Sequence, residues 1–236
     1  MKYTYLDCLA ILGVGGAHPG GMQITKKILA NESIESTMTV LDSGCGTGKT
    51  LTYIAEKYGC RGYGIDSNPL MIEKANQRIA TLKLPIKTRV ARTESLPFAN
   101  GSFDLVLSES VIVFTKIPFT LSEFKRVLKP RGKLLAIEMV LETKLPHQNL
   151  KEFTDFYQLS TIPTEEEWRT ALKRAGFQHV SIENVPLNPL EMTMEDAPDY
   201  LLSEQIDPEV FHILAEHERI TNNFRGVIGF RVFNCS

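Results

Sequence analysis

Cysteine is scarce in this chain of 236 residues, and its four copies, Cys8, Cys45, Cys60 and Cys235, are scattered. No CxxC pair or histidine pair accompanies them, which argues against a disulfide framework and against a metal site. A basic excess is missing too: 26 Lys and Arg stand against 28 Asp and Glu, a net charge of −2. Dedicated nucleic-acid binders carry a clustered positive surface, so nucleic acid is not an expected partner. No apolar run approaches the roughly 18 residues that cross a bilayer. The first twenty-one residues hold only a short apolar stretch broken by glycine, without a signal h-region or a clean cleavage site. The expected molecule is reduced and cytoplasmic, with no membrane span. Its 43% hydrophobic and 23% charged residues are ordinary globular usage, neither disordered nor low-complexity.

Short β-branched runs alternate with longer helical patterns. Strands are expected at Val40–Asp42, Arg61–Asp66, Ile86–Ala91, Phe103–Ser108 and Lys133–Val140. The fourth is a near-continuous apolar run, as in a strand buried on both faces. Helices are expected at Lys49–Tyr58, from Pro69 to about Leu82, and at Phe119–Leu128, the last stopped by Pro130-Arg131-Gly132. Thr164 with Glu167 reads as a capping box opening a helix that ends at Gly176. Later strands fall at His179–Val185 and Val227–Phe233, with a helix opening at Asp207-Pro208 between them. Sustained alternation predicts an α/β fold, a parallel sheet with helices on both faces. No internal repeat or flexible linker divides the chain.

Chemistry concentrates in Leu41-Asp42-Ser43-Gly44-Cys45-Gly46-Thr47-Gly48. Three glycines at alternate positions, directly after a strand, permit positive φ and let backbone approach a ligand closely. The helix that follows offers its N-terminal amides. A dinucleotide fingerprint needs GxGxxG, and this is GxGxG. Gly48-Lys49-Thr50 supplies the end of a P-loop, but the first glycine should stand at position 43, which is Ser43. S-adenosylmethionine (SAM) has no phosphate, and its ammonium suits an acid such as Asp42. The second strand ends at Asp66, 18 residues after Gly48, where a carboxylate can accept both ribose hydroxyls. A P-loop protein has no need of that acid.

VLDSGCGTG, GYGIDSNPLMIEKA, ESLPFANGSFDLVLSES and EFKRVLKPRGKLLAIE, in that order, resemble the motifs of class I SAM-dependent methyltransferases. The likeness is to the small-molecule branch that includes ubiquinone- and menaquinone-biosynthesis enzymes, and it spans roughly residues 38–140. It implies a Rossmann-like sheet of seven strands, mostly parallel with the last antiparallel, and SAM as cofactor. One domain is expected over residues 1–236: an N-terminal lid or cap at 1–37, a SAM-binding core at 38–140, an acceptor-side insertion at 141–163, and the rest of the sheet at 164–236. Carried over by position, Asp42, Gly44, Cys45 and Gly46 would line the methionine part, and Asp66 would take the ribose. Ser67 and Met71 would lie near ribose and adenine, with Ser108 and Glu109 at the pocket floor. The place where such proteins often keep an acid for the adenine amino group holds Arg92, which cannot accept a hydrogen bond. Thr93 or Glu94 would substitute, or backbone and stacking alone would hold the ring.

The expected reaction is transfer of the methyl group to a small-molecule acceptor by in-line displacement, in which positioning supplies much of the rate. Gly13–Gly21 holds five of the chain's sixteen glycines and reads as a mobile lid, with His18 its one group titrating near neutrality. His18 and Glu138 are the candidate catalytic residues: His18 facing the acceptor, Glu138 contacting or deprotonating it. A solvated loop histidine and a strand-end carboxylate bonded to amides are the plainer alternatives. Phe153, Phe156 and Tyr157 either wall the acceptor or pack an amphipathic helix. His147, His179, His212 and His217 read as loop or helix-surface residues. Two other functions stay open: a catalytically idle SAM-binding module, given Arg92 and no evident base, and a P-loop NTPase. An RNA methyltransferase would lack its basic patch.

Overall fold

The structure, a computed structural model, describes residues 2–143, 145–186 and 193–236. It begins with α1 (Tyr5–Leu12), a two-residue strand β1 (Val14–Gly15) and α2 (Gly21–Ala30). Alternation follows: β2 (Thr39–Ser43), α3 (Lys49–Tyr58), β3 (Arg61–Asp66), α4 (Pro69–Ala80), β4 (Ile86–Val90) and β5 (Phe103–Glu109). A 3-10 turn at Ile112–Phe114 leads to α5 (Ile117–Val127) and β6 (Leu128–Leu141). The remainder is α6 (His147–Tyr157), α7 (Glu165–Arg174), β7 (Val180–Glu183), β8 (Asp199–Tyr200), α8 (Glu209–Asn223) and β9 (Ile228–Cys235).

Seven strands form one sheet in the order β4-β3-β2-β5-β6-β9-β7. The first five are parallel, and β9 runs antiparallel to both of its neighbours. This is the Rossmann-like sheet expected, last strand included. Adjacent residues on one strand feed opposite cores, which is why the central strands are apolar throughout. Val106, Leu134 and Ala136 join Leu121, Phe124, Trp168 and Phe177 under α5 and α7. Leu105, Leu107, Leu135 and Ile137 join Ile24, Leu29 and Ile54 under α2 and α3. Trp168 is anchored further by its indole N–H, which donates to the Met139 carbonyl at 2.9 Å. A third apolar cluster lies among α1, α6 and α8.

Two local expectations change. Pro130-Arg131-Gly132 does not stop a helix; it lies inside β6, where the register against β5 shifts between Phe103 and Leu105. The helix has already ended at Val127, because Leu128 turns extended (φ −72°, ψ 138°) two residues ahead of the proline. The predicted Thr164 capping box is present, with both reciprocal bonds formed. The glycine-rich segment is ordered rather than loose: β1 pairs antiparallel with β8, joining the N-terminal segment to a stretch near the opposite end of the chain. Among the described residues, no helix is long and apolar enough to cross a membrane.

Candidate active site

A cavity of about 490 Å³ opens beyond the carboxyl ends of β2, β3, β4 and β5, where open α/β sheets place their ligands. Its floor is the glycine turn. Gly44 and Gly46 adopt φ of 82° and 50°, a region that side chains resist. A Cβ on Gly44 would also overlap the Val111 methyl groups. The turn is tied to the next strand, since the Gly44 and Cys45 amides both donate to the Ile65 carbonyl at 2.8 Å. Gly46 N–H donates to Asp66 Oδ2 at 3.0 Å, and Asn68 N–H donates to Asp66 Oδ1 at 2.8 Å. Asn68 caps α4.

Asp42 is 2% exposed, and its Oδ2 has no hydrogen-bond partner. Burial, reinforced by the charges of Glu109 and Asp66, pushes its carboxyl well above the usual range. A buried acceptor left unsatisfied on a cavity wall is a place for a cation or a donor. Burial also raises Asp66, against the amides that hold it down. An orphaned carboxylate, a glycine turn without side chains and a second carboxylate at the next strand end fit the ammonium, backbone approach and ribose of SAM.

Most of the cofactor residues expected from sequence meet here. Asp42, Gly44, Cys45, Gly46, Asp66, Ser67, Met71, Thr93, Glu94 and Glu109 all line the cavity. Ser108 does not: it is fully buried, outside the lining, and its hydroxyl has no partner. Arg92 lines the mouth, its side chain 73% exposed, and donates to Glu94 Oε1 at 3.2 Å. Burial works against it, but hydrogen bonds from backbone, including Lys116 N–H, and from Arg92 hold the Glu94 carboxyl below its usual range.

His18 belongs to the lining, its side chain only 3% exposed. Nε2 lies 3.2 Å from Thr25 Oγ1 and 3.5 Å from Glu109 Oε1, and Nδ1 lies 3.3 Å from the Pro19 carbonyl. Thr25 and Thr50 hydroxyls donate to the two oxygens of Glu109 at 2.5 and 2.7 Å. The Thr25 hydroxyl links Glu109 Oε1 to His18 Nε2 and lies 3.4 Å from the Gly21 carbonyl. His18 is thus held by a network, not solvated on a loop.

Glu138 lies outside the lining. Its carboxylate accepts from the amides of Val111 and Ile112 at 3.0 and 2.8 Å and of Val113 at 3.2 Å. Burial raises its pKa to about 7, and the three amides oppose that rise. It buttresses the turn whose other side, Val111 and Phe114, faces the cavity. Lys49, which a P-loop would aim at phosphate, donates to the Ala197 carbonyl at 2.5 Å, and Thr50 is held by Glu109. Among the described residues, no cluster of ligands could hold a metal.

Thr4, Leu6, Asp7 and Leu9 of α1 form a wall that the sequence reading misses. A signal was available, because Thr4-x-x-Asp7 forms a capping box ahead of an apolar run. Phe153, Phe156 and Tyr157 are absent from the lining and pack in the third core cluster. His217 is not a plain surface residue: its Nδ1 lies 2.6 Å from Tyr157 Oη and its ring stacks on Tyr5 at 4.5 Å. His179 and His212 are exposed as expected, and the side chain of His147 lies outside what is described.

A methyltransferase domain model matches residues 41–136. The uncharacterized methyltransferase YodH of Bacillus subtilis is 37% identical over 232 residues, 97% of either chain. Phosphoethanolamine N-methyltransferase 1 of Zea mays is 32% identical over 74% of this chain and 35% of its own. Among solved structures, phosphoethanolamine N-methyltransferase 2 of Haemonchus contortus, in complex with SAM, matches with a TM-score of 0.80. That alignment is 21% identical and covers 100% of this chain and 57% of the other.

Proposed function

The chain belongs to the class I SAM-dependent methyltransferases, and on that premise we propose that it methylates a small molecule held between the glycine turn and α1. SAM supplies a methyl group on a sulfonium centre. The observation that carries the reading is the orphaned Asp42 oxygen at the floor of a cavity whose far wall is the N-terminal segment. Asp42 would take the donor's ammonium and Asp66 its ribose hydroxyls, while Gly44, Cys45 and Gly46 let backbone lie against the methionine part. Ser67 and Met71 would flank ribose and adenine, and Thr93 with backbone would replace the acid that Arg92 displaces. Glu94 is occupied by Arg92 and by Lys116 N–H, so it acts at the rim.

Holding acceptor and methyl group in line is the main work of such a site, and excluding water assists it. The N-terminal segment suits both tasks. Lys49 and Arg78 tie it to the cofactor turn through Ala197 and Asp199. Lys74 Nζ donates to the carbonyls of Ile11 and Leu201. His18, oriented by Thr25 and Glu109, would orient the acceptor or take up its proton. Glu138 has a positioning role through Val111. Four cysteines, all free and buried, favour a reducing, cytoplasmic setting.

Calorimetric titration with SAM, S-adenosylhomocysteine (SAH) and magnesium-ATP tests the cofactor assignment. Saturable binding of the first two and none of ATP is expected; ATP binding in their place would refute it. Methyl-labelled SAM then separates an enzyme from an idle binding module, by transfer or its absence across the small-molecule pool.

A further inference from the structure

The walls of the cavity carry five carboxylates, Asp7, Asp42, Asp66, Glu94 and Glu109, against two cations, Lys49 and Arg92, and the imidazole of His18, itself held by Thr25 and Glu109. Both cations are already engaged. Lys49 Nζ donates to the Ala197 carbonyl at 2.5 Å, and Arg92 Nη2 to Glu94 at 3.2 Å. Three of the carboxylates belong to the cofactor side: Asp42, Asp66, and Glu109 with its two threonine hydroxyls. Glu94 is taken by Arg92 and the Lys116 amide, which leaves Asp7 as the carboxylate on the wall that also carries Leu6 and Leu9. Asp7 Oδ2 accepts from the Thr4 amide and hydroxyl at 2.8 and 2.7 Å, leaving Oδ1 without a bond among the described residues.

We propose that the acceptor is a basic amine with an apolar flank and no phosphate or carboxylate, an inference that rests on the methyl-transfer reading above. An anionic acceptor would be desolvated beside Asp7 with no uncommitted lysine or arginine to receive it, and like-charge juxtaposition counts against binding. An ammonium, by contrast, meets Asp7 on entry. The chemistry keeps the same sign of charge. The amine gives its proton to water at the cavity mouth; its lone pair forms the N–C bond as the donor's C–S bond breaks. The electron pair stays on sulfur, and the positive charge passes to nitrogen, inside walls that favour it.

Two measurements decide. Methyl-tritiated SAM is incubated with the full chain and a protein-free small-molecule extract of its source cells, and the products are separated on cation and anion exchangers. Label retained by the cation exchanger in a species that elutes apart from residual SAM, and absent without enzyme, is expected; label in the neutral or anion-retained fraction overturns the proposal. Transfer to no fraction by protein that binds SAM removes the catalytic reading itself, and this inference with it. Phosphoethanolamine titrated into SAH-loaded protein should give no saturable heat, and a saturable heat overturns the proposal independently of turnover. With the labelled acceptor in hand, Asp7→Asn, which keeps an oxygen for the Thr4 cap, should raise its KM roughly tenfold and leave SAM affinity unchanged. An unchanged KM would take Asp7 out of acceptor binding.

Discussion

Replacing Asp42 by asparagine should move stability and cofactor affinity in opposite directions. In the free protein this carboxyl is 2% exposed, one oxygen lacks a partner, and Glu109 and Asp66 repel its charge. A carboxyl whose folded pKa is raised above its unfolded value binds its proton more tightly in the native state. Its contribution to stability is therefore fullest in acid, below the unfolded value, and declines as pH rises toward the folded value. At neutral pH the native state carries that penalty, and asparagine removes it. Relief of one buried, unsatisfied charged acceptor is worth about 1 kcal/mol or more. That corresponds to a rise in Tm of roughly 2–4 °C for a chain of this size. SAM binding should suffer instead, because a charge-assisted bond of about 2 kcal/mol is lost, roughly 30-fold in Kd. The two effects can be read from one set of thermal melts. At a SAM concentration of about 100 times the wild-type Kd, ligand stabilisation is about 2.7 kcal/mol, and it should shrink to about 0.9 kcal/mol in the variant. A variant that melts lower without ligand, and still gains the full wild-type stabilisation with it, would refute both halves of the reasoning.

His18→Ala should reduce turnover far more than SAM affinity, measured by initial rates and calorimetry on one preparation; unchanged turnover would remove His18 from the reaction. Glu138→Gln leaves at least one of the Val111, Ile112 and Val113 amides without an acceptor, so urea unfolding should show a loss of about 1–3 kcal/mol. Because the Glu138 pKa is raised to about 7, its contribution to stability declines as pH climbs from the ordinary carboxylate range through 7. The wild-type protein should lose stability across that window more steeply than the variant, and parallel pH profiles would contradict this assignment. Arg78→Ala removes the link from Thr47 and its carbonyl to Asp199, so stopped-flow should show SAH leaving several-fold faster with global stability changed by only about 1 kcal/mol.

The cofactor half of the site was legible because its parts are local. Asp42, the three glycines and Asp66 sit at the ends of consecutive strands, and the strand–turn–helix geometry that makes them useful also gives them fixed spacing. The parallel sheet was legible for the same reason: Phe103–Ser108 is apolar on both faces only because both faces are covered. What escaped depends on distant pairing. Asp199 and Tyr200 carry no strand pattern of their own and become a strand only against Val14 and Gly15. A Cβ at Gly15 would overlap the Asp199 carboxylate, which would have to shift to admit it. Glu138 illustrates the converse. A carboxylate at a strand end looks reactive in sequence, and only coordinates show three amides already committed to it.

The same contrast explains why the motifs announce a methyl donor and not an acceptor. The residues proposed for the donor fall within 42–94 and at 109, whereas the wall proposed for the acceptor comes from α1 and is held by a stretch some 190 residues later. Lys74 makes that coupling physical. It is 4% exposed on the cofactor helix α4, and its ammonium is held by Ile11 O, Leu201 O and Ser203 Oγ, the last at 3.1 Å. Burial lowers its pKa, a strain tolerable only while both remote segments are in place to receive its hydrogen bonds. Lys49, the residue that gave the sequence its false P-loop ending, does the equivalent at Ala197. Cations next to the glycine turn therefore donate to backbone carbonyls of the segments that form the wall proposed for the acceptor. A change in that wall can retune the acceptor without touching the glycine turn, but losing either lysine should loosen the wall over an intact cofactor site.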